Sequence, residues 1–243
     1  RTIAVDALPE AAEALNQALN QARGSAVHLY VPQRGDVAKL VNMAYTNAVE
    51  RLARESGRYA REEKLLEELA QLLGMEKVPA VIESYDISNW GDGTSVCGMV
   101  VFENGKPKRA GYRRFKMRTV DRTDDYASMA EALSRRAAEY ARGAAGQFGV
   151  LPDLILLDGG RGQVNAVRQA IAGTELARVP LFGMVKDDHH RTRAIVTGEG
   201  REIAINLNRG VFTFVTAIQD EVHRFAITYQ RLQQKKKSYA STL

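Results

Sequence analysis

Residues 151–163 read Leu151-Pro152-Asp153-Leu154-Ile155-Leu156-Leu157-Asp158-Gly159-Gly160-Arg161-Gly162-Gln163. The apolar run has the length of a strand and ends in a carboxylate, and the glycines then open onto a segment with helical spacing. Strand, turn and helix in this order indicate an open α/β sheet, in which ligands collect beyond the carboxyl ends of parallel strands. Asp158 therefore lies where chemistry is expected, although a tight turn with a capping Asp explains the same pattern.

The composition is that of an ordinary globular protein, because the 243 residues are 45% hydrophobic and 26% charged. A net charge of +5 favours a polyanionic partner without requiring one. Cys97 is the only cysteine, which excludes disulfides and cysteine-rich zinc sites and predicts a reducing, cytoplasmic setting. No apolar run reaches the roughly 18 residues of a spanning helix, so no membrane partner is expected. The arginine at position 1 suggests a piece of a longer protein.

Residues 1–76 are predicted to form an α-rich leader region with one strand. The strand is expected at 26–31, and two helices are expected to begin at Asp36 and near Leu65. Between these helices, residues 51–64 are so charged that they predict a solvated face or a mobile connection. We expect this whole region to be a scaffold without chemistry.

Residues 77–243 are predicted to form an α/β domain that begins with an antiparallel meander. Strands are expected at 80–88, 95–102 and 110–117. The second and third strands are joined by Glu103-Asn104-Gly105-Lys106, which is a hairpin signal.

After the meander, the pattern predicts helix, strand, helix and strand. Thr123-Asp124-Asp125 supplies capping residues for the first helix. The strand and helix of residues 151–171 follow, and the apolar run 181–185 ends in Lys186. A meander, a helix and then strand, helix and strand is a mixed-sheet α/β pattern with flanking helices.

The last part of the chain is predicted as a loop, a short strand and a helix. Residues 187–200 are expected to be an exposed loop, in which His189-His190 could bind a metal, although adjacent histidines point to different sides of most backbones. A short strand is expected at 201–207. The final helix follows residue 208 and carries a clean apolar stripe for docking on the sheet. His223 lies one residue off that stripe, about 100° around the helix.

Asp86 lies within the first meander strand, between residues that should be buried. A carboxylate there is costly unless a cation or hydrogen bonds compensate it, and a hydrogen-bonded structural aspartate is one interpretation. If the strand that ends in Asp158 pairs in parallel with the Asp86 strand, the two carboxylates meet at one rim of the sheet. Two close negative charges then favour a divalent ion between them.

Several segments together carry a family resemblance through their order and spacing. They are Tyr85-Asp86-Ile87-Ser88, Tyr112-Arg113-Arg114-Phe115, Asp124-Asp125-Tyr126, residues 152–163, Glu221-Val222-His223-Arg224-Phe225-Ala226 and, upstream, Pro32-Gln33-Arg34-Gly35. From about residue 26 to 243 the chain resembles the carboxyl-terminal half of the excinuclease subunit UvrC, whose nuclease domain has the ribonuclease H fold. The resemblance implies a ribonuclease H-like mixed sheet for residues 77–243.

By that resemblance, Asp86, Asp158 and His223 fall on the family's Asp-Asp-His catalytic triad. Such ligands suit Mg²⁺ or Mn²⁺, and the ion could polarise a phosphodiester oxygen and activate water. Asp125 falls on a further acidic position of the family, although its place at a helix start also gives it a capping role. The family usually has His where this chain has Asn89, and the role of that position stays open.

Basic residues near these acids are candidates for contacts with a DNA backbone. They are Arg113, Arg114, Arg161 and Lys186, together with Gln163. Lys186 could also orient a water molecule, or it could simply be solvated at the end of its strand.

The resemblance implies a metal-dependent DNA endonuclease of nucleotide excision repair that makes the 5′ incision, with damaged double-stranded DNA and a UvrB–DNA complex as partners. The amino-terminal nuclease and UvrB-binding segments of the family have no counterpart here. Ser241-Thr242-Leu243 resembles the run that leads into its helix-hairpin-helix module. We therefore expect weak DNA binding.

Two other functions remain open at this point. One is a catalytically silent ribonuclease H-like module that binds nucleic acid or a repair protein. The other is a phosphotransferase in which Gly159-Gly160-Arg161-Gly162 cradles a nucleotide, although this turn lacks the Gly-Lys-Ser/Thr ending of a P-loop.

Overall fold

The computed structural model describes the backbone of residues 1–89, 95–117, 124–187 and 192–240, and side chains within those ranges up to residue 228. Its contacts divide the chain into two units, Arg1–Arg61 and Glu62–Leu243. Among the described helices, none combines the length and the apolar character needed to cross a bilayer.

The first unit contains a small parallel sheet and a connecting helix. Strand β1 (Thr2–Ala4) pairs in parallel with β2 (His28–Tyr30), and α1 (Ala12–Arg23) lies between them in the chain. Gly24 ends α1 at a φ of 69°, a left-handed conformation that glycine adopts without strain. The prediction of one strand in this region was wrong, because three residues are too few for the β1 alternation to show in the sequence.

A single helix, α2 (Gly35–Leu73), replaces the two helices predicted from Asp36 onward. Residues 51–64 continue the helix because their charged side chains are good helix formers and pair along its surface. Arg51 Nε, for example, lies 3.1 Å from Glu55 Oε1. The predicted solvated face is confirmed, whereas the predicted break between two helices was wrong.

The end of α2 belongs to the second unit. Leu66, Leu69 and Leu73 are buried there in a core cluster that includes Ile82 and Val100. We therefore propose a division after Arg61 in place of the boundary after residue 76, because the apolar face of this helical segment is part of the second core.

An eight-stranded mixed sheet forms the centre of the described part of the second unit. Its strands are β3 (Val81–Asn89), β4 (Ser95–Glu103), β5 (Lys106–Pro107), β6 (Arg113–Lys116), β7 (Leu154–Asp158), β8 (Leu181–Lys186), β9 (Thr192–Val196) and β10 (Glu202–Ala204). The order is β10-β9-β8-β7-β3-β4-β5, and β6 also pairs with β4. Because β7 is parallel to both β3 and β8 while the meander is antiparallel, the predicted mixed sheet is confirmed.

Helices cover both faces of this sheet. They are α3 (Asp125–Ala141), α4 (Arg161–Ala170) and α5 (Arg209–Ala240). Side chains of α3 and α4 share one buried cluster with Tyr85 and Leu157 of the sheet. The apolar stripe of α5 shares the other with Ile82 and Leu156. Neighbouring residues of β3 therefore face different helical layers, which decides where Asp86 points.

The segment predicted as the exposed loop 187–200 contains strand β9, so that prediction was wrong. Ala194, Ile195 and Val196 are buried, and β9 pairs antiparallel with β8. The charged residues that flank this short apolar run concealed it in the sequence. His189-His190 and residues 241–243, on which two further predictions fell, lie outside the described residues.

Side-chain caps fix the starts of α3 and α5. Asp124 Oδ1 accepts hydrogen bonds from the backbone N–H groups of Tyr126 and Ala127 at 3.0 and 3.1 Å. Asn208 Oδ1 accepts one from the N–H of Val211 at 3.0 Å. Both are the short polar side chains that helix starts favour, so the sequence signals for these two helices are confirmed.

Candidate metal centre

Asp86 and Asp158 lie on adjacent parallel strands. The register pairs Tyr85 of β3 with Leu157 of β7, so the next residue of each strand is an aspartate at the same rim of the sheet. The two carboxylates are only 9% and 8% exposed. The parallel pairing on which the sequence interpretation depended is thus present.

His223 reaches this rim from α5. Ile218 and Val222 are fully buried and dock the helix on the sheet. Gly98 of β4 allows a close approach, since a Cβ built there would lie 3.2 Å from the Cβ of Ala226. This packing places His223 Nδ1 2.9 Å from Asp86 Oδ2 and 4.0 Å from Asp158 Oδ2.

The three side chains fit a divalent cation. One ligand atom from each of Asp86, Asp158 and His223 lies within 4.8 Å of the others. Two carboxylate oxygens and an imidazole nitrogen form a donor set that suits Mg²⁺ or, with the imidazole, Mn²⁺. The imidazole is 52% exposed, so the centre is open to solvent on the side of α5.

The two members of the Asp86–His223 pair perturb each other. Burial raises the pKa of the Asp86 carboxyl, and the nearby Asp158 charge raises it further, while the hydrogen bond with His223 opposes both. The hydrogen bond with Asp86 raises the pKa of His223 above its usual value, against the effect of partial burial. The ionised form of Asp86 is thus disfavoured by burial and by Asp158, and a bound cation would favour it.

Two further side chains, Lys186 and Gln219, donate hydrogen bonds to Asp158. Lys186 Nζ donates to Asp158 Oδ2 at 2.8 Å, and Gln219 Nε2 donates to Asp158 Oδ1 at 2.8 Å. The structure thus brings Lys186 to the site, and its role there stays a prediction. Gln219 was missed by the sequence interpretation, although a polar residue one helical turn before His223, on the same side of the helix, was a signal for it.

Asp125 does not cap α3, contrary to the capping role expected for it, because Asp124 already accepts the free N–H groups. Asp125 Oδ1 instead accepts a hydrogen bond from Asn89 Nδ2 at 2.7 Å, and Asn89 Oδ1 accepts one from Ser95 Oγ at 2.7 Å. Asp125 is therefore directed toward the end of β3, outside the three-residue cluster. Its part in catalysis stays a prediction.

The predicted DNA-contact arginines of β6 have partners within the protein. Arg113 Nη1 donates to the carbonyls of Ala110 and Tyr112, each at 2.8 Å. Arg114 Nη2 donates to the carbonyl of Phe225 at 3.1 Å, and its guanidinium lies 3.8 Å from the centre of that ring. Arg114 thereby ties β6 to α5, so its contact with DNA stays a prediction.

Gln163 and Arg161 lie at the start of α4. Gln163 Oε1 accepts a hydrogen bond from the N–H of Gly160 at 3.0 Å, which gives Gln163 a role in closing the turn. Arg161 is exposed. The DNA contacts of both side chains stay predictions.

Comparisons with known proteins point in one direction. A family model described as the UvrC RNAse H endonuclease domain matches residues 70–227, and one described as the UvrC Ribonuclease H-like domain matches residues 1–55. The UvrABC system proteins C of Acetivibrio thermocellus and Ruminiclostridium cellulolyticum are 42% and 44% identical to this chain, each over 95% of its length. The chain spans 40% and 39% of those two proteins.

One solved structure is more distantly similar. The endonuclease V of Ciona intestinalis, in complex with a 24mer DNA containing an inosine followed by a ribo-adenosine, aligns over 57% of this chain and 58% of that chain. The TM-score is 0.35 and the identity 16%, values too low to support a functional conclusion.

Proposed function

The chain belongs to the UvrC RNase H endonuclease domain family, and from that membership we propose that it makes the 5′ incision in nucleotide excision repair. The observation that carries the proposal is the meeting of Asp86, Asp158 and His223 within 4.8 Å. The proposed substrate is damaged double-stranded DNA, presented as a UvrB–DNA complex. Activity, substrate and partner are proposals because the chain spans about two fifths of its relatives.

Asp86, Asp158 and His223 would hold a Mg²⁺ or Mn²⁺ ion. When bound, such an ion polarises a phosphodiester oxygen and lowers the pKa of a coordinated water molecule. Asp86 and Asp158 are held at fixed positions by adjacent strands, whereas the half-exposed His223 contributes from the solvent side. The two carboxylates are thus held rigidly by the sheet, and a DNA strand can approach them from the solvent-exposed side.

Lys186 is the proposed phosphate contact. Its side chain is 29% exposed and its ammonium pairs with Asp158 at 2.8 Å, so Lys186 lies at the rim of the centre without being fully buried. A lysine acts as a compact point charge toward a phosphate and needs no fixed hydrogen-bond geometry. Lys186 can therefore hold the scissile phosphate beside the carboxylates without reading sequence.

Two observations support this reading over the alternatives. Asp86 and Asp158 lie buried side by side, and although Lys186 pairs with Asp158, a divalent cation would stabilise both carboxylates, whereas a silent binding module has no need of them. In the Gly159–Gly162 turn, the N–H of Gly160 already donates to Gln163 at 3.0 Å. A nucleotide phosphate would need such backbone donors free, so the turn is poorly suited to a phosphotransferase.

The direct test removes one ligand at a time. Asp158→Asn or His223→Ala is expected to lower Mn²⁺-dependent nicking of duplex DNA at least 100-fold, because an open metal centre with a ligand removed no longer activates water. Rates are measured in single-turnover assays with excess protein, and chelation by EDTA should abolish nicking by the wild type. Circular dichroism spectra should match among the variants.

Asp220→Asn is the matched control, because Asp220 is an exposed carboxylate on the same helix, three positions before His223. It removes a carboxylate that lies outside the three-residue cluster, and the nicking rate of this variant should equal that of the wild type. Wild-type-like nicking by Asp158→Asn and His223→Ala would contradict the site assignment.

A further inference from the structure

The side-chain amide of Gln219 makes three hydrogen bonds beside the candidate centre. Gln219 is 1% exposed and lies on α5 one turn before His223. Its Nε2 donates to Asp158 Oδ1 at 2.8 Å and to the carbonyl of Met184 at 3.1 Å. Its Oε1 accepts a hydrogen bond from Thr192 Oγ1 at 2.5 Å. One side chain thus connects α5 with β7, β8 and β9.

These contacts allow a single orientation of the amide. If the amide were flipped, Oε1 would face the carboxylate of Asp158 and the carbonyl of Met184, which are both acceptors. Nε2 would then face the Thr192 hydroxyl. Because Gln219 is only 1% exposed, water could not donate to the acceptors that are left without a partner. The orientation is therefore fixed by the hydrogen-bonding partners themselves.

The consequence falls on the carboxylate of Asp158. Its Oδ1 is occupied by the Gln219 amide, so rotation of the carboxylate about its Cβ–Cγ bond would break that contact. Its Oδ2 lies on the side of His223, at 4.0 Å from Nδ1, and accepts a hydrogen bond from the partly buried Lys186. One oxygen serves as an anchor, and the other faces the centre.

We propose that Gln219 is a positioning residue that fixes Asp158 so that Oδ2 is the oxygen offered to the divalent ion. This inference rests on the proposed function, because it assigns how one ligand of that centre is held. The Thr192 hydroxyl contributes to this positioning, since it donates a hydrogen bond to the Gln219 amide oxygen. Partners of metal ligands typically contribute about 10- to 100-fold in metal affinity, although they never touch the ion.

The inference is tested by Mn²⁺ affinity, measured by electron paramagnetic resonance on the metal-free protein without DNA. Gln219→Met keeps the length of the side chain and removes its donor and acceptor. It is expected to weaken Mn²⁺ binding about 10- to 100-fold. Thr192→Val keeps the Asp158–Gln219 contact but removes the hydrogen bond to the amide oxygen. We expect it to weaken Mn²⁺ binding less, about three- to tenfold. Gln169→Met, at an exposed position of α4, is the control and should bind Mn²⁺ as the wild type does.

Two results separate this inference from its premise. If the wild type binds Mn²⁺ and Asp158→Asn does not, while Gln219→Met and Thr192→Val bind it as tightly as the wild type, the positioning role is wrong and the proposed function stands. If the wild type binds no Mn²⁺, both are wrong. A purely structural role would lower the urea midpoint of the metal-free variants and leave the Mn²⁺ affinity unchanged, which also overturns the inference. Thr192→Val provides the same decision should Gln219→Met fail to fold.

Discussion

At the scale of single residues, two acidic side chains near the rim are each held by a neutral amide that is itself held by a hydroxyl. Asp158 is held by Gln219 and Thr192, and Asp125 is held by Asn89 and Ser95 in the same manner. An amide can fix a carboxylate without adding a second charge that would need its own compensation. The two aspartates therefore keep defined directions although they belong to different elements.

Asn89→Ala is expected to slow nicking about 10- to 100-fold, because Asp125 loses the donor that directs it and small misplacements of active-site groups have effects of this size. Mn²⁺ affinity should stay within about twofold of the wild type, since Asp125 lies outside the three-residue cluster. Single-turnover rates and Mn²⁺ titrations check the two halves of this prediction. Asn89→His, which restores the residue usual in the family, should recover part of the rate. An unchanged rate in Asn89→Ala would show that Asp125 needs no orientation.

Lys186→Met should slow nicking without weakening Mn²⁺ binding. The rate of nicking is expected to fall about 10- to 100-fold through loss of a phosphate contact. Mn²⁺ should bind at least as tightly as in the wild type, because an ammonium 2.8 Å from Asp158 Oδ2 competes with any cation at that oxygen. The exposed Lys39, in the first unit, offers Lys39→Met as a control. Weaker Mn²⁺ binding by Lys186→Met would instead make Lys186 a support for the ligand.

At the scale of elements, the approach of α5 to the meander decides whether a centre exists at all. The helix contributes both His223 and Gln219, and it lies close to β4 because Gly98 and Ala226 have little or no side chain at the contact. Strand β6 adds a second attachment through Arg114 and the carbonyl of Phe225. Helix position, rather than loop conformation, therefore brings the imidazole to the carboxylates.

Gly98→Val is expected to abolish most nicking and to lower the free energy of unfolding by about 1–3 kcal/mol, because the added atoms have no space against Ala226 and must displace α5. A Cβ alone would already lie 3.3 Å from the Cα of Ala226. Urea unfolding and nicking assays measure the two effects. Gly57→Ala, at a position with nothing within 4 Å of the added Cβ, should leave nicking unchanged. Full activity in Gly98→Val would show that α5 tolerates displacement.

A buried ion pair on the other face of β3 secures the sheet to α3. Arg136 and Glu83 are fully buried and lie 3.0 Å apart, and Arg136 Nη1 also donates to the carbonyl of Phe148. Glu83 accepts a hydrogen bond from the Tyr85 hydroxyl at 2.7 Å. Because Glu83 and Asp86 differ in strand parity, this network and the candidate centre lie on opposite faces of β3.

Arg136→Met should lower the free energy of unfolding by about 3–5 kcal/mol, because it leaves the Glu83 carboxylate buried without its partner. The double variant Glu83→Gln/Arg136→Met should recover much of that loss. Urea unfolding provides both values. Nicking at a temperature where Arg136→Met is folded should match the wild type, and a strong loss under those conditions would connect this network to the candidate centre.

The elements that the sequence predicted correctly share a strong periodic signal. Two examples are the strand, turn and helix around Asp158 and the apolar stripe of α5. Their apolar residues recur at strand or helix spacing because one side of each element is buried and the other faces solvent. Strand β9 was not predictable in this way, because charged residues flank its short apolar run. The continuity of α2 was not predictable either, because a charged stretch of good helix formers can also be a linker. Asp124 and Asp125 differ by one position in a helix start, and sequence alone does not decide which of two adjacent aspartates caps. Gln219 was missed because a buried amide depends on partners from three distant strands.

At the scale of the whole molecule, the positive charge is modest and partly used internally. The net charge is +5 over 243 residues, and Arg113, Arg114 and Arg136 all have partners within the protein. Electrostatic attraction to DNA is therefore expected to be weak and to carry no base readout. Such a surface fits the proposed function, in which the chain cuts DNA without selecting the sequence itself.

Binding to duplex DNA is accordingly expected at a Kd of about 1–100 μM near physiological salt, with log K falling linearly as log salt rises. Fluorescence anisotropy with two duplexes of unrelated sequence should give equal affinities, and a lesion in either duplex should change the affinity by less than about threefold. Tight, lesion-selective binding would contradict this view and would assign damage recognition to the chain itself.

The separation of 137 positions between Asp86 and His223 also bears on how such a protein is made. A ribosome completes both aspartate strands well before it adds the imidazole, and α5 can dock only after it has left the exit tunnel. A nascent or prematurely terminated chain thus holds both acids and lacks the last ligand. Under the proposed function, a chain of this kind is expected to leave DNA uncut until translation has passed α5.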